Sequence, residues 1–250
     1  MHLNLSHDTL ICNGKIKITG SKSETNRLLF LQSLFPNFKI QNKSNSDDSS
    51  VMQAALKSTS DFIDINHAGT AMRFLTSYFS QLEGREVILT GSKRMQQRPI
   101  KILVDALRSL GASIEYEKKQ GYPPLKIKGK KLDGGSISLP ANISSQYISS
   151  LIMLGPILKA GIELNLKGTI TSMPYINMTL DLLDRLGIKT EFKGHRIVVK
   201  NTSKSKNTIQ VVESDWSSAS YFFSIAALSD KAKIHLSNFK SNSLQGDSIL

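Results

Sequence analysis

The sequence predicts an α/β protein assembled from a repeated helix–sheet unit, and three observations carry that expectation. A helical stretch ending in Leu-Gly occurs twice, at 102–110 before Gly111 and at 180–186 before Gly187. Each is followed by two short alternating segments and then a third, in the same order. A Ser-rich helix start closes each round, first Ser144-Ser145-Gln146 and then Ser217-Ser218-Ala219-Ser220-Tyr221. The spacing is about seventy residues, and self-similarity at a fixed spacing outweighs any local propensity.

In chain order, 15–19 alternates apolar and polar residues (Ile16, Ile18) and reads as a half-buried strand. Gly20-Ser21-Lys22-Ser23 turns into a helix marked by Leu28-Leu29-Phe30-Leu31. Phe38-Lys39-Ile40-Gln41 closes this shorter copy as a strand, and 49–57 reads as the next helix. Phe62-Ile63-Asp64-Ile65 is a strand, and a further helix starts at His67-Ala68-Gly69-Thr70. The connection from Asp48 to His67 is short, which leaves that part of the repeat without a strand pair. Ile102, Leu103, Ala106, Leu107 and Leu110 have helical spacing, with Gly111 at the C-terminal cap. Segments 112–117 and 125–128 flank a Gly-Tyr-Pro-Pro turn as two strands, and 136–140 is the third. A helix at 147–158 and a strand at 162–166 complete the round. Strands at 188–192, 196–200 and 208–212, a helix opening at Ser217 and a strand at 233–236 repeat it. Helices packed on sheets in this order make the class α/β or α+β.

Every copy places a small-residue turn at a helix N-terminus: Gly20-Ser21-Lys22-Ser23, His67-Ala68-Gly69-Thr70, Ser144-Ser145-Gln146 and Trp216-Ser217-Ser218. Unpaired backbone N–H groups and the positive end of the helix dipole favour an anion there. Lys22 adds a point charge and Arg27 a planar fork suited to phosphate or carboxylate. Taken alone, Gly20 to Arg27 reads equally as a Ser-capped helix with two solvated basic residues. If the turns share a centre, with Arg27, Arg73, Arg94 and Arg98 around it, they form a polyanion site that needs no metal.

The net charge of +12 agrees with an anionic partner. The basic residues are dispersed, however, with short clusters such as Lys128-Gly129-Lys130-Lys131, and no nucleic-acid-binding motif is present. The apolar fraction of 40% with 21% charged residues describes a globular protein. No apolar run reaches the ~20 residues that span a bilayer, and no secretory signal is visible. Cys12 is the single cysteine, which excludes an intrachain disulfide and fits a reducing cytoplasm; no metal-ligand spacing is seen among it and five His.

Together these turns resemble the 5-enolpyruvylshikimate-3-phosphate synthase family. The matching pieces are Gly20-Ser21-Lys22-Ser23 with Asn26-Arg27, Ser46-Asp47-Asp48, Ala68-Gly69-Thr70-Ala71-Met72-Arg73, and Arg94-Met95-Gln96-Gln97-Arg98-Pro99. Tyr122-Pro123-Pro124-Leu125, Ser144-Ser145-Gln146, Pro174-Tyr175-Ile176, Ser217-Ser218-Ala219-Ser220-Tyr221-Phe222 and Gln245-Gly246-Asp247 follow in family order. The resemblance implies the enolpyruvyl transferase fold, an inside-out α/β barrel of two domains with three repeats each. On that pattern 15–213 is one complete three-repeat domain, the shikimate 3-phosphate side, while 1–14 and 214–250 are an incomplete portion of the other.

The activity implied is transfer of the enolpyruvyl group from phosphoenolpyruvate to the 5-hydroxyl of shikimate 3-phosphate, by addition and elimination of phosphate, in the shikimate pathway. No cofactor and no metal are implied, and the family points to a cytoplasmic monomer acting on two small molecules, with no nucleic acid or membrane partner. Carried over by motif, Lys22 is catalytic and contacts both substrates. Ser23, Arg27, Ser144, Ser145, Ser172 and Tyr175 hold shikimate 3-phosphate, Gly69 and Arg98 hold phosphoenolpyruvate, and Gln146 touches both. For Ser145 and for Asp47 or Asp48 a helix cap remains an open alternative, as does core packing for Tyr175.

Three positions depart from the family pattern. Thr19 stands where proline is frequent, His67 where asparagine is usual, and Met173 in place of a basic residue. The family's chains continue beyond Leu250, and the rest supplies carboxylates for proton transfer. This chain by itself is therefore expected to bind without turning over, and the apolar faces of 214–250 to lack partners. The related UDP-N-acetylglucosamine enolpyruvyl transferase uses a loop cysteine, whereas Cys12 lies in the first strand region. A basic polyanion-binding module is the non-enzymatic alternative.

Overall fold

The computed structural model describes residues 10–249. The first helix among the described residues, α1 (Lys22–Leu34), is followed by the strand β2 (Lys39–Gln41) and α2 (Asp47–Lys57), with the strand β1 (Ile11–Ile16) preceding them. Then come β3 (Phe62–Asp64), α3 (Gly69–Gln81), β4 (Glu86–Thr90), α4 (Lys101–Ser109), β5 (Ser113–Tyr116) and β6 (Leu125–Lys128). The third round is β7 (Gly135–Pro140), α5 (Ser145–Leu154), β8 (Ile162–Lys167), α6 (Met173–Arg185), β9 (Thr190–Lys193) and β10 (Arg196–Val199). The strand β11 (Ile209–Val211), α7 (Trp216–Ala227) and β12 (Lys231–Leu236) complete the described chain.

Two sheets have the same plan, β3-β4-β6-β5 and β7-β8-β10-β9. In each, the first pair is parallel with a helix between its strands, and an antiparallel hairpin extends it. The third sheet is the parallel pair β11-β2 alone, because α2 runs into β3 with no hairpin between them. The short connection from Asp48 to His67 announced that loss. The repeat is therefore real, with one copy trimmed.

Helices α1, α3 and α5 lie innermost. Every residue of α3 from Gly69 to Ser80 is buried, as are all residues of α5 except Gln146, which is the signature of a helix surrounded by protein rather than one with a wet face. Phe30 of α1 meets Phe74 and Tyr78 of α3 edge-on at 6.1 and 6.2 Å, the geometry that aromatic quadrupoles favour.

Some boundaries differ from the sequence reading. The strand expected at 15–19 is β1, which starts four and ends three residues earlier, and it pairs in parallel with β12 along Ile11–Ile16. Residues 17–19 instead run beside 212–215: Ser214 Oγ donates to Ile18 O at 2.8 Å, and Asp215 N to Thr19 O at 3.0 Å. The alternation was genuine, but hydroxyl and backbone bonds of a crossover take the place of a ladder. The part of the 1–14 segment before residue 10 lies outside the described residues. The helix expected over 180–186 begins at Met173, since Pro174 is tolerated in a first turn. The one expected over 147–158 stops at Leu154, where Gly155 and Pro156 tighten the chain into a 3-10 turn. The strand β4 has no counterpart in the sequence reading, although its Val87-Ile88-Leu89 run is strongly apolar.

Helix α7 buries only Ala219. Tyr221, Phe223 and Ile225 are exposed on it and Leu228 at its C-cap, and a cavity of about 480 Å³ between α7 and β12 is lined by Trp216, Phe222, Ile234 and Phe239 among others. The apolar face expected of 214–250 is thus present and uncovered. Leu228 is 81% exposed, so Leu228→Lys is expected to shift stability by less than about 0.5 kcal/mol. It should also reduce self-association in sedimentation velocity, because a large exposed apolar patch drives association. Unchanged self-association would show that the face is not what brings copies together.

Candidate functional site

Side-chain contacts fix the level of the helices. Arg27, in the second turn of α1, donates from Nη2 to Ser149 Oγ of α5 at 2.9 Å and from Nε to Thr179 Oγ1 of α6 at 2.8 Å. Its guanidinium faces the rings of Phe74 in α3 at 5.6 Å and Tyr175 in α6 at 5.7 Å. Ser49, in the first turn of α2, donates to Asn26 Oδ1 at 2.8 Å. Pro99 O, just before α4, accepts from Arg73 Nη2 at 3.2 Å and from Tyr147 of α5 at 2.6 Å. Helices α1 to α6 therefore all begin at one end of the bundle. Their unpaired N–H groups and aligned dipoles make that end electropositive before any side chain is counted.

The side chains there add to it. Arg27 is 2% exposed, and its donors meet neutral oxygens: Thr179, Ser149 and, from Nη1, Ser23 O at 2.9 Å. No carboxylate pairs with it among the described residues, and burial lowers its pKa to about 10, so it remains charged at neutral pH. Lys22 is exposed at the first position of α1. Its backbone N donates to Asp215 Oδ2 at 3.2 Å, while the other oxygen of Asp215 caps α7 through Ser218 N at 2.8 Å. Arg98 is exposed and lies against Gly69, where an added Cβ would sit 2.3 Å from Arg98 Nη1. With His67, Arg94 and Met95 it lines a cavity of about 440 Å³. The His67 ring is fixed by a 2.8 Å bond between Nδ1 and Ser92 Oγ.

Helix α5 contributes Ser144, Ser145 and Gln146. Ser144 is the cap, its Oγ accepting from Gln146 N at 3.3 Å, so the capping role left open for Ser145 belongs to its neighbour. Ser145 is buried one residue further on. Gln146 Nε2 donates to Thr70 Oγ1 at 3.0 Å, joining the starts of α5 and α3. Ser172 precedes α6 without a side-chain cap bond. Tyr175 is half-buried with its ring on Arg27, so it is not simply core. Ser46 is the cap of α2, accepting from Ser49 N at 3.4 Å; Asp47 and Asp48 supply only negative charge to the first turn.

Arg73 departs from the expectation that it lines the site. It is buried, with Nη1 donating to Gly69 O at 3.1 Å and the guanidinium over the Tyr147 ring at 5.8 Å. Burial lowers its pKa, with the charge of nearby Arg98 acting in the same direction. It braces the start of α3 and the segment before α4, setting where Gly69 and Arg98 stand. Sequence reasoning also passed over Ser149 and Thr179, and named Thr70 without giving it a role of its own. The available signal was a hydroxyl at a position where the rest of the helix is apolar, as in Ile148-Ser149-Ser150-Leu151.

Behind the site, Glu24 of α1 ties the 212–215 segment to the end of α6. Its Oε2 accepts from Glu213 N at 3.0 Å, and Oε1 lies 3.5 Å from Arg185 Nη1. Burial raises its pKa, outweighing the cations around it. A carboxyl whose pKa is raised on folding stabilises the fold at pH below its unfolded value, and that contribution is lost as pH rises through the folded value. Denaturant melts of wild type should therefore lose stability as pH rises from about 4.5, and Glu24→Gln should flatten that slope. Identical slopes for the two proteins would exclude Glu24 as the source.

Comparison with known proteins adds a third line. The family model for EPSP synthase (3-phosphoshikimate 1-carboxyvinyltransferase) matches residues 53–250. A 3-phosphoshikimate 1-carboxyvinyltransferase of Bacteroides fragilis (strain YCH46) is 48% identical over 234 residues, covering 93% of this chain and 57% of the relative. One of Actinobacillus pleuropneumoniae (serotype 5b, strain L20) is 37% identical over 268 residues, covering 94% of this chain and 61% of the relative. That alignment is longer than the chain itself, so the Actinobacillus protein carries residues that this chain lacks within the matched region. An EPSP synthase structure from Acinetobacter baumannii superposes with a TM-score of 0.76 at 22% identity, over 92% of this chain and 56% of that one. The chain spans 57 to 61% of the length of these curated relatives.

Proposed function

The chain belongs to the EPSP synthase family, and on that premise we propose that it supplies the shikimate 3-phosphate side of an enolpyruvyl transferase. In the reaction, the 5-hydroxyl oxygen of shikimate 3-phosphate gives up its proton to a base and adds to C2 of phosphoenolpyruvate, while C3 gains a proton from an acid. Loss of a proton from C3 and departure of phosphate from C2 of the tetrahedral adduct leave the enol ether. Lys22 touches both substrates. Ser23, Arg27, Ser144, Ser145, Ser172 and Tyr175 hold shikimate 3-phosphate, Gly69 and Arg98 hold phosphoenolpyruvate, and Gln146 reaches both. Two anions brought together need dense positive charge, and positioning supplies much of the rate in such a reaction.

The observation that carries the reading is the set of cations at the shared helix start. Lys22, Arg27, Arg94 and Arg98 form no ion pair with a carboxylate among the described residues. Elsewhere Arg85 and Arg196 each have one, and Arg185 has two. Unpaired cations gathered at one end of the helices favour anionic small molecules, and Lys22, Arg27 and Arg98 bear directly on contacts named above. The rest of the relatives' length would cover the open face of α7 and β12 and provide carboxylates for the proton steps. Segment 15–213, with its three sheets, is the substrate-side domain in this reading; 10–14 and 214–249 belong with the part beyond. The protein works as a cytoplasmic monomer without a cofactor. No helix among the described residues is long and apolar enough to cross a membrane.

The test is calorimetric titration with shikimate 3-phosphate, against shikimate and inorganic phosphate as controls. Binding that requires both ring and phosphate supports the proposal. Equal, salt-sensitive binding of any polyanion overturns it in favour of a basic binding module. Phosphate release from the two substrates by this chain unaided would overturn the part assigning proton transfer elsewhere.

A further inference from the structure

We propose that Ser149 and Thr179 are positioning residues for Arg27, holding its guanidinium in place with uncharged hydroxyls so that its whole charge stays available to a ligand. The inference rests on the reading of Arg27 as a contact to shikimate 3-phosphate. Three helices meet at this point. Arg27 comes from α1, Ser149 from α5 and Thr179 from α6, and Ser149 and Thr179 are both fully buried. Thr179 Oγ1 lies 2.8 Å from Arg27 Nε, 2.9 Å from Ser149 Oγ and 2.7 Å from Tyr175 O.

Proton counting makes the arrangement self-consistent. A threonine hydroxyl has one proton and two lone pairs. With that proton on Tyr175 O, Thr179 accepts from Arg27 Nε–H and from the Ser149 hydroxyl. Ser149 in turn accepts from Arg27 Nη2 at 2.9 Å. Every proton of the pair then has an acceptor, and the direction is fixed by the backbone carbonyl at the end. Of the five guanidinium N–H groups, three are occupied by Thr179, Ser149 and Ser23 O. One is left on each terminal nitrogen, the fork that accepts a phosphate or carboxylate edge.

A carboxylate would hold the arginine more tightly, but it would also neutralise it. Hydroxyls fix the plane and leave the field intact for the ligand. The same Thr179 proton reaches the backbone of Tyr175, whose ring lies on the guanidinium, so one hydroxyl orients both groups.

The test uses Thr179→Val, which removes the hydroxyl at nearly constant shape, with Thr179→Ser as the conservative rescue and Ser149→Ala beside them. Two readouts are taken: shikimate 3-phosphate affinity by calorimetry, and solvent exchange of the Arg27 Nε–H by NMR. The expected result is a roughly tenfold loss of affinity in Thr179→Val and in Ser149→Ala, recovered in Thr179→Ser, for loss of one net hydrogen bond to a charged group. Nε–H exchange should accelerate in Thr179→Val and return to the wild-type rate in Thr179→Ser. Accelerated exchange in Thr179→Val, together with no binding of shikimate 3-phosphate by the wild type, would uphold the positioning and overturn the substrate reading. Unchanged exchange and affinity in Thr179→Val would overturn the positioning. A lower melting point with full affinity in the folded protein would also overturn it, since that is what a purely structural role predicts.

Discussion

Gly20→Ala is expected to lower the thermal midpoint by about 10 °C, or to prevent folding altogether. A Cβ at Gly20 would lie 1.9 Å from Asn42 O and 2.7 Å from Val212 Cγ1. The first of these is backbone, and it is not free to retreat. Asn42, with φ of 54°, follows β2, and its Nδ2 donates to Val212 O at 2.9 Å. Val212 N donates to Gln41 O at 3.0 Å, continuing the β2–β11 pairing. Gly20 itself bridges Ser214, and Ser21 N donates to Glu213 O at 2.8 Å. One methyl group therefore wedges the crossover segments away from the end of a two-stranded sheet that has no hairpin to brace it. Overpacking costs about 1 to 3 kcal/mol and sometimes more, and each kcal/mol moves the midpoint of a chain this size by roughly 2 to 4 °C. Gly14 is the control, since nothing lies within 4 Å of its added Cβ; Gly14→Ala should melt with the wild type. If the two variants melt together, the crossover is looser than its contacts imply.

The same crossover shows where sequence reasoning succeeds and where it stops. Helix ends were legible because Gly111 and Gly187 adopt φ of 99° and 78°, which other residues resist. Helix starts were legible from Ser21, Ser46 and Ser144, each of which caps its helix through its own hydroxyl. These are local physics, so a local pattern records them. The strand at 15–19 was misplaced because alternation at Ile16 and Ile18 does not name a partner. The partner of β1 is β12, more than two hundred residues away. Arg73 was misjudged for a related reason: the motif announces the arginine, but burial depends on Tyr147 and Pro99 arriving from elsewhere. Gly69 and Arg98 were legible as a helix-start turn and a nearby cation, but their shared role came from family resemblance, and only the structure puts one against the other. Ser149 and Thr179 were invisible because a lone serine or threonine in an apolar helix most often bonds its own backbone.

Arg27→Met is expected to leave the melting point of the unliganded protein equal to or above that of wild type, while shikimate 3-phosphate affinity falls about a hundredfold. A buried guanidinium with no carboxylate partner is poorly compensated for its lost hydration, and its depressed pKa of about 10 records that penalty. Methionine fills much of the same space beneath Phe74 and Tyr175 and suits irregular cavities. Removing an ill-compensated buried charge for an apolar side chain is often neutral or stabilising. The hydroxyls left behind are not stranded, because Ser149 still donates to Thr179 and Thr179 to Tyr175 O. The ligand, however, loses the two free N–H groups and the charge behind them. At about 1.5 to 3 kcal/mol for a hydrogen bond to a charged group, a loss near 3 kcal/mol corresponds to roughly a hundredfold in affinity. The order of melting points should then reverse with ligand. At a concentration about a hundred times the dissociation constant, binding stabilises the wild type by about 2.7 kcal/mol, and the variant gains almost nothing. Two melts with and two without shikimate 3-phosphate are enough to decide. A variant that melts several degrees lower without ligand would make Arg27 a structural brace like Arg73, and equal stabilisation of both proteins by the ligand would place its site elsewhere.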